Sequence, residues 1–520
     1  MDYRIHAWNW INHCVFSIFK RYQGNTIQIY KGEEMNYKNY INNEWCEAES
    51  GKTFDVINPY TEKVIARVPA SEDVDVEKAV EAAQVAFKEW GNMTPGNRRD
   101  RLKTLAKVSL ENAESLAKTI SSEMGKPYKD ALSEIDDLAE YLEYYSELAR
   151  DQVGKIVAPV EKKSMSLVRY EPYGIVGCII PWNYPLSLMG WKLAPALAAG
   201  NTIIMKPSEI TSVSILHWIE VVSGIMPPGV MNVITGYGSE AGEGIVKHPK
   251  VPIITFTGSV QTGKRIAKVA ADNLKKVSLE LGGKDPVIVC DDADIEVAAK
   301  GTSWGGFVNS GQVCTSVERV YVYNAVADKF TEALIEEAKK IKLGDPMDKN
   351  TDLGPMASKV QLDNTIEKVN LASKQGARVL IGGNQPKKLN TGYFYMPTIF
   401  DHITPDMDIV TEESFSPVIP IQKVQSLNEA IEMSNATKYG LGCTIFTRDI
   451  ERAMSAADKI KSGTVCINNP LMENIAAPFG GMKQSGIGRE HGIEALDEFR
   501  EAKHIYIDYD SSNKSWWFGD

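Results

Sequence analysis

The sequence predicts an α/β protein built on doubly wound parallel sheets. From residue 174 to 283, short apolar strands alternate with helices across brief turns. After Gly283 a second alternation of the same kind begins at Pro286–Cys290. The turns that close these strands hold Gly, Ser, Thr, Lys and Glu, and in such sheets ligands bind beyond the carboxyl ends of the strands.

In chain order, residues 1–34 read as an aromatic-rich N-terminal extension, and Met35 is expected to be the natural start. The segment 35–45 reads as a strand and turn. Val76, Ala79, Val80, Ala83, Phe87 and Trp90 recur at helical spacing, and helices are predicted over 97–122 and 128–150. Residues 156–170 alternate as β structure does. Then come strand 175–180, helix 186–199, strand 202–205, helix 212–224, strand 230–234, short helix 240–246, strand 253–256, helix 261–271 and strand 277–279. The second region alternates helices 294–309, 327–341, 427–435 and 450–458 with strands 319–323, 418–423, 442–446 and 464–468. Residues 503–509 alternate once more.

With 520 residues the chain is long enough for two or more domains. A net charge of −11, with no basic block, argues against nucleic acid or an anionic membrane as the main partner. The seven cysteines are widely spaced, with no C-x-x-C pair. This disfavours a disulfide framework and an evident metal site and suits a reducing, cytoplasmic setting. No apolar run reaches the ~20 residues of a membrane span.

The chemistry gathers at two stretches. Gly305 to Ser316 sets Cys314 in a turn after an apolar helix, beside Asn309, Ser310, Gly311 and Gln312. A thiol attacks only as thiolate, so a base must take its proton or its surroundings must lower its pKa. Leu279-Glu280-Leu281-Gly282-Gly283-Lys284 offers that base, because burial in an apolar run raises a carboxyl pKa towards neutrality. A lone Cys is more often core and a lone Glu more often solvated. The turns between 173 and 284 favour the functional alternative. Phe256-Thr257-Gly258-Ser259 runs into a helix and suits a pyrophosphate, although it is not the usual glycine fingerprint. Lys206 and Glu209 close a strand where a dinucleotide ribose would sit.

These blocks, in this order, resemble the aldehyde dehydrogenase superfamily from about Tyr40 to Asp508. Pro181-Trp182-Asn183-Tyr184-Pro185, Lys206-Pro207-Ser208-Glu209, Gly311-Gln312-Val313-Cys314, Glu412-Glu413-Ser414-Phe415 and Pro478-Phe479-Gly480-Gly481 all match. The resemblance implies a dinucleotide-binding domain from 35–153 and 173–283 and a catalytic domain from 284–484. It also implies a small β oligomerisation element from 154–172 and 485–520, and a homodimer or homotetramer. It makes Cys314 the nucleophile, Glu280 the base that activates water, and Asn183 with the Cys314 N–H the oxyanion hole. Lys192 and Glu490 would move protons. Ile180, Trp182, Lys206, Glu209, Gly258, Ser259, Glu413 and Phe415 would hold NAD, with NADP as the alternative. Tyr184, Leu188, Trp191, Trp304, Val313, Thr315 and Phe479 would line the aldehyde tunnel, with Leu471, Met472 and Glu473 at its mouth.

The pocket positions carry no arginine, which disfavours carboxylated semialdehydes. The blocks around Cys314 and Glu318-Arg319-Val320 are similar to lactaldehyde- and glycolaldehyde-oxidising members. Ser416 stands where the family pattern has glycine, and Asp285 where a small residue is common; the first is expected to alter its loop. A coenzyme A–acylating relative would lack the Glu280 base, and an inactive structural relative would lack Cys314. A cofactor-free thiol hydrolase would want a histidine, and none falls within the motif blocks.

Overall fold

Strands joined through helices return in the same direction, which forces parallel pairing. The computed structural model describes residues 35–150 and 154–518, so the expected extension 1–34 lies outside the described residues. Among the described residues of the body 36–520, the first large sheet has eight strands. Its parallel centre runs Lys276–Leu281, Ile253–Gly258, Ile175–Ile179, Thr202–Lys206 and Met231–Val233. Gly486–Ile487 adds antiparallel at one edge, and Asn39–Ile41 with Glu44–Cys46 at the other.

The second sheet has seven strands: Arg378–Ile381, Thr398–Asp401, Val418–Val424, Val317–Tyr323, Asp285–Val289, Gly442–Phe446 and Thr464–Ile467. All pair in parallel except the first. Its core packs Val287, Val320, Phe330, Ile419 and Phe446. A third sheet pairs Arg500–Asp508 antiparallel with Ser164–Pro172 along nine residues, and Ser164–Pro172 with Gly154–Val157.

Two helices fix the position of the site. Asp73–Trp90 buries Val76, Ala79, Val80 and Ala83 against Ile175, Ile204 and Ile254 of the first sheet. Pro185–Ala199 is predominantly apolar, with Lys192 its one charged residue, and is buried from Pro185 through Ala198, which anchors the turn before it.

Most of the predicted elements appear, with corrections at the breaks. The helix expected over 97–122 is two, Pro95–Glu111 and Ala113–Met124, divided at Asn112. The Asn112 side chain donates to the Val108 carbonyl, the kind of local bond by which Asn competes with helix continuation. The short helix expected at 240–246 is a wide turn, Gly238–Gly242, followed by Glu243–Lys247. The helix expected over 294–309 ends at Phe307. Helix Lys359–Lys374, capped by Ser358, has no counterpart in the sequence reading.

Candidate active site

The turn that carries Cys314 is held in a costly conformation. Asn309 and Ser310 sit at φ 53° and 57°, and Gly311 at φ 70°. Left-handed backbone at non-glycine residues persists only where surroundings over-determine it. Here they do. The Ser310 hydroxyl donates to the Gly354 carbonyl at 2.8 Å, and Asn309 Nδ2 donates to the carbonyls of Asn183 and Gln312. Gln312, fully buried, donates to the Asn309 carbonyl and accepts from the Ala357 N–H. Gly311 has no room for a side chain, because a Cβ there would lie 2.2 Å from the Ser416 carbonyl oxygen.

This lock brings Asn183 to the nucleophile: its Nδ2 donates to the Gln312 carbonyl at 3.1 Å, two residues before Cys314. Among the described residues no acceptor takes the Cys314 backbone N–H. Glu280 lies on the edge side of the first sheet, in register with Thr257 on one side and Gly486 on the other. Burial pushes its carboxyl well above the usual range and the nearby Glu490 adds to this, while Lys192 and the Cys314 thiol pull the other way. Its oxygens have no well-aligned hydrogen bond, so the thiol is near but not engaged. Burial also raises the Cys314 thiol, with Glu280 the next cause. Cys314 nonetheless keeps accessible surface. Strong desolvation with residual access is what a deep, solvent-entered channel produces.

Lys192, fully buried, donates to Thr257 Oγ1 at 2.7 Å and pairs with Glu490. The neighbour His491 is a residue that the motif blocks did not reach. It sits at φ 61°, with its ring 4.2 Å from Trp191 and stacked on Tyr141. Burial first and Lys192 second push its pKa down to about 3, and neither ring nitrogen has a partner. It is therefore a neutral aromatic wall and no base for the thiol. The expected pocket residues Trp191 and Phe479 touch at 4.9 Å, and Leu188 and Val313 are buried. Burial first, and the Cys314 thiol among the lesser causes, raise the Tyr184 hydroxyl, and Thr315 borders a cavity of ≈ 20 Å³ with Phe479 and Glu473. Trp304 departs from its expected place. It stands 51% exposed and makes none of the described ring contacts, because the buried face of its helix is Ala298, Ala299, Thr302 and Gly305.

Acidic groups collect near the mouth. Glu473 lies close enough to affect Cys314, Tyr184 and Tyr141, and Asp137 reaches Tyr141 from helix Tyr128–Leu148. Burial raises Asp137 to about 6, and the surrounding protein raises Glu473 in the same direction although its side chain keeps solvent exposure. Asp137 carried no signal in the sequence, being one acid in an acidic helix.

On the cofactor side Ile180 is buried, and Trp182 meets Phe415 edge-on at 5.3 Å. Lys206, buried, lies 3.5 Å from Glu209. Gly258 and Ser259 lead into helix Val260–Ala271, where Ser259 Oγ accepts from the Thr262 N–H. Glu413 accepts from the Gly283 N–H at 3.2 Å and packs over Gly282, where a Cβ would meet its carboxylate. The Glu413–Phe415 loop hangs on a buried pair: Glu318 accepts from the Ser414 and Phe415 N–H groups, and Lys284 donates to Glu318 and Ser414. Phe415, and not Ser416, takes the left-handed conformation, so a side chain at 416 strains nothing. The altered loop expected from Ser416 therefore has no backbone cause. Asp285 is buried, raised to about 7 by that burial, and accepts from the Gly442 N–H. A buried cation beside a carboxylate, an open helix start and paired aromatics fit the phosphates, ribose and ring of a dinucleotide.

Residues 45–505 match the aldehyde dehydrogenase family, and the chain belongs to it. The peroxisomal aminoaldehyde dehydrogenase 1 of Malus domestica is 40% identical over 488 residues, which are 92% of this chain and 97% of that one. The retinaldehyde dehydrogenase 3 of Homo sapiens is 40% identical over 482 residues, 92% of this chain and 94% of its own. The crystal structure of the betaine aldehyde dehydrogenase of Staphylococcus aureus with NAD+ superposes with a TM-score of 0.91 at 38% identity, covering 93% of this chain and 97% of that one. The protein is an NAD-dependent oxidoreductase that converts an aldehyde to the acid.

Glu209 bears on cofactor choice, because its charge at a ribose would repel a 2′-phosphate. NAD is expected to be used with the higher kcat/KM, and Glu209→Gln to narrow the gap to NADP. Equal efficiency of the unaltered enzyme with both cofactors contradicts this.

Proposed function

We propose that Cys314 carries out covalent catalysis and that Glu280 drives its hydrolytic half. The convergence of Cys314, Asn183 and Glu280 on one buried channel supports this most directly. Cys314 Sγ gives its proton to Glu280 and adds to the carbonyl carbon, forming a thiohemiacetal. The oxyanion is met by the second Asn183 Nδ2 hydrogen and the Cys314 N–H, donors fixed where charge develops. Bound NAD supplies the hydride acceptor. Glu280 next takes a proton from water as its oxygen attacks the thioester. The C–S bond breaks, the acid leaves, and the Cys314 thiolate regains a proton from Glu280, so the proton first taken from the thiol must leave Glu280 before this step. Lys192 and Glu490 give that proton a path beyond Glu280.

Glu280→Gln keeps size but not basicity, so turnover should fall by roughly 10²–10⁴ while some thioester still forms. Cys314→Ala should abolish the NADH burst and turnover yet leave NAD binding intact. The base is the deprotonated carboxylate, and its pKa is raised. The hydrolytic rate should therefore climb with pH well above the ~4.3 of an ordinary Glu, and that limb should vanish in Glu280→Gln. Rapid-mixing NADH traces with mass spectrometry of the Cys314 peptide read both. Wild-type turnover by Glu280→Gln, or a need for coenzyme A, refutes the assignment.

The preferred substrate, we infer, is an aldehyde with a cationic or neutral tail. Asp137 and Glu473 near the mouth support this, since a bound ammonium restores their charge while a carboxylate meets repulsion. Relatives named for aminoaldehydes and betaine aldehyde support it further. In a panel of 3-aminopropionaldehyde, glycolaldehyde and succinic semialdehyde, kcat/KM should fall in that order. Asp137→Asn should cost the aminoaldehyde about tenfold and glycolaldehyde little, on the scale of one lost charge contact. Preference for the semialdehyde contradicts this.

The third sheet supports association. Gly154–Val157 forms an edge among the described residues, Ile156 is 76% exposed, and Trp516 is 71% exposed on the tail. The full chain should run as a homodimer or homotetramer, and deleting 500–520 should release monomers or aggregate it. A monomeric full chain in light scattering overturns this. The described cysteines are all free thiols, which supports a reducing, cytoplasmic setting, and no described helix is long and apolar enough to cross a membrane.

A further inference from the structure

Helix Pro185–Ala199 begins at Tyr184, whose backbone is non-helical and whose side chain caps nothing. The first N–H groups of a helix need acceptors, and a buried helix start without them is destabilised. Here the acceptor comes from another helix. Glu134, on Tyr128–Leu148, accepts from the Leu186 N–H at 2.8 Å and the Ser187 N–H at 3.2 Å through Oε1. Its other oxygen pairs with Lys126, which follows the left-handed Gly125 that ends helix Ala113–Met124. Both side chains of the pair have no exposed surface. The Lys126 ammonium in turn lies 3.4 Å from the centroid of the Tyr184 ring.

Two buried charges are costly to assemble, and replacing such a pair with apolar residues is often neutral or better for stability. Stability alone is thus a poor account of this one. What the pair touches is the segment just after Asn183. The ammonium holds the face of Tyr184, the carboxylate holds residues 186 and 187, and the Gln312 and Asn309 bonds hold Asn183 from the other side. We propose that Lys126 and Glu134 are positioning residues that fix Asn183 as an oxyanion donor by clamping Tyr184 and the start of helix Pro185–Ala199. This rests on the reading of Asn183 given above. Neither residue touches the reacting atoms.

A misplacement of about 1 Å at a donor can cost on the order of 10²-fold in rate. Glu134→Gln and Lys126→Met should therefore slow the NADH burst by roughly 10- to 100-fold. NAD affinity by fluorescence and the rate of Cys314 alkylation by iodoacetamide should stay within about twofold, because neither needs the oxyanion donor. Added to Asn183→Ala, Glu134→Gln should cost little more, since residues acting through one group are not additive. If Glu134→Gln does not fold, Glu134→Asp keeps the charge but shortens its reach and should give an intermediate loss.

An unchanged burst in the folded variants overturns the proposal. So does a parallel loss of alkylation and NAD binding, which marks a general structural role, or a fully multiplicative double variant. A burst that survives Asn183→Ala overturns the oxyanion reading and this proposal together. A burst lost in Asn183→Ala but kept in Glu134→Gln overturns only the clamp.

Discussion

Desolvation around Cys314 and Glu280 is the constraint on which the rest of the site depends. Taking a thiol and a carboxyl out of water raises both pKa values and disfavours the charged form of each. That suits a reaction in which attack and hydrolysis need charge only in turn. The nearby fully buried ammonium of Lys192 is tied to Glu490 and Thr257, so it moderates Glu280 without forming an ion pair with it.

Keeping such groups dry requires rigid backbone, and the strain is absorbed close by. The left-handed run Asn309–Gly311 would relax if its side chains lost their carbonyl acceptors. The Glu413–Phe415 loop is held the same way by Glu318 and Lys284, and the Asn183 turn by Glu134 and Lys126. In the first case the loop's own side chains donate to distant carbonyls, and in the other two a buried carboxylate from a distant part of the chain accepts from the backbone of the loop. A loop braced by apolar packing alone would leave those N–H groups without partners.

The acidic mouth follows from the same architecture. Asp137 and Glu473 come from a helix in the first region and a loop in the second, and they share the field near Tyr141. Their raised pKa values mean that each gains most from a partner that brings positive charge.

The sequence by itself determined the alternation of strands and helices, and with it the parallel sheets, because period and turn chemistry are local properties. It also singled out Cys314, Glu280, Asn183 and the cofactor turns as candidates, because they sit in dense blocks of distinctive residues. Breaks such as Asn112 and the end of helix Ile295–Phe307 were not legible, since Asn and Val are tolerated within helices. Trp304 looked like a tunnel residue until the helix showed which face it buries. His491, Asp137 and the Lys126–Glu134 pair were decided only by tertiary structure. Each is one ordinary residue in its own stretch, and its meaning arises from neighbours that only the fold brings together, as Glu134 meets Leu186 and His491 meets Tyr141. Charge burial depends on the whole surrounding volume, and no local pattern in a chain encodes that volume.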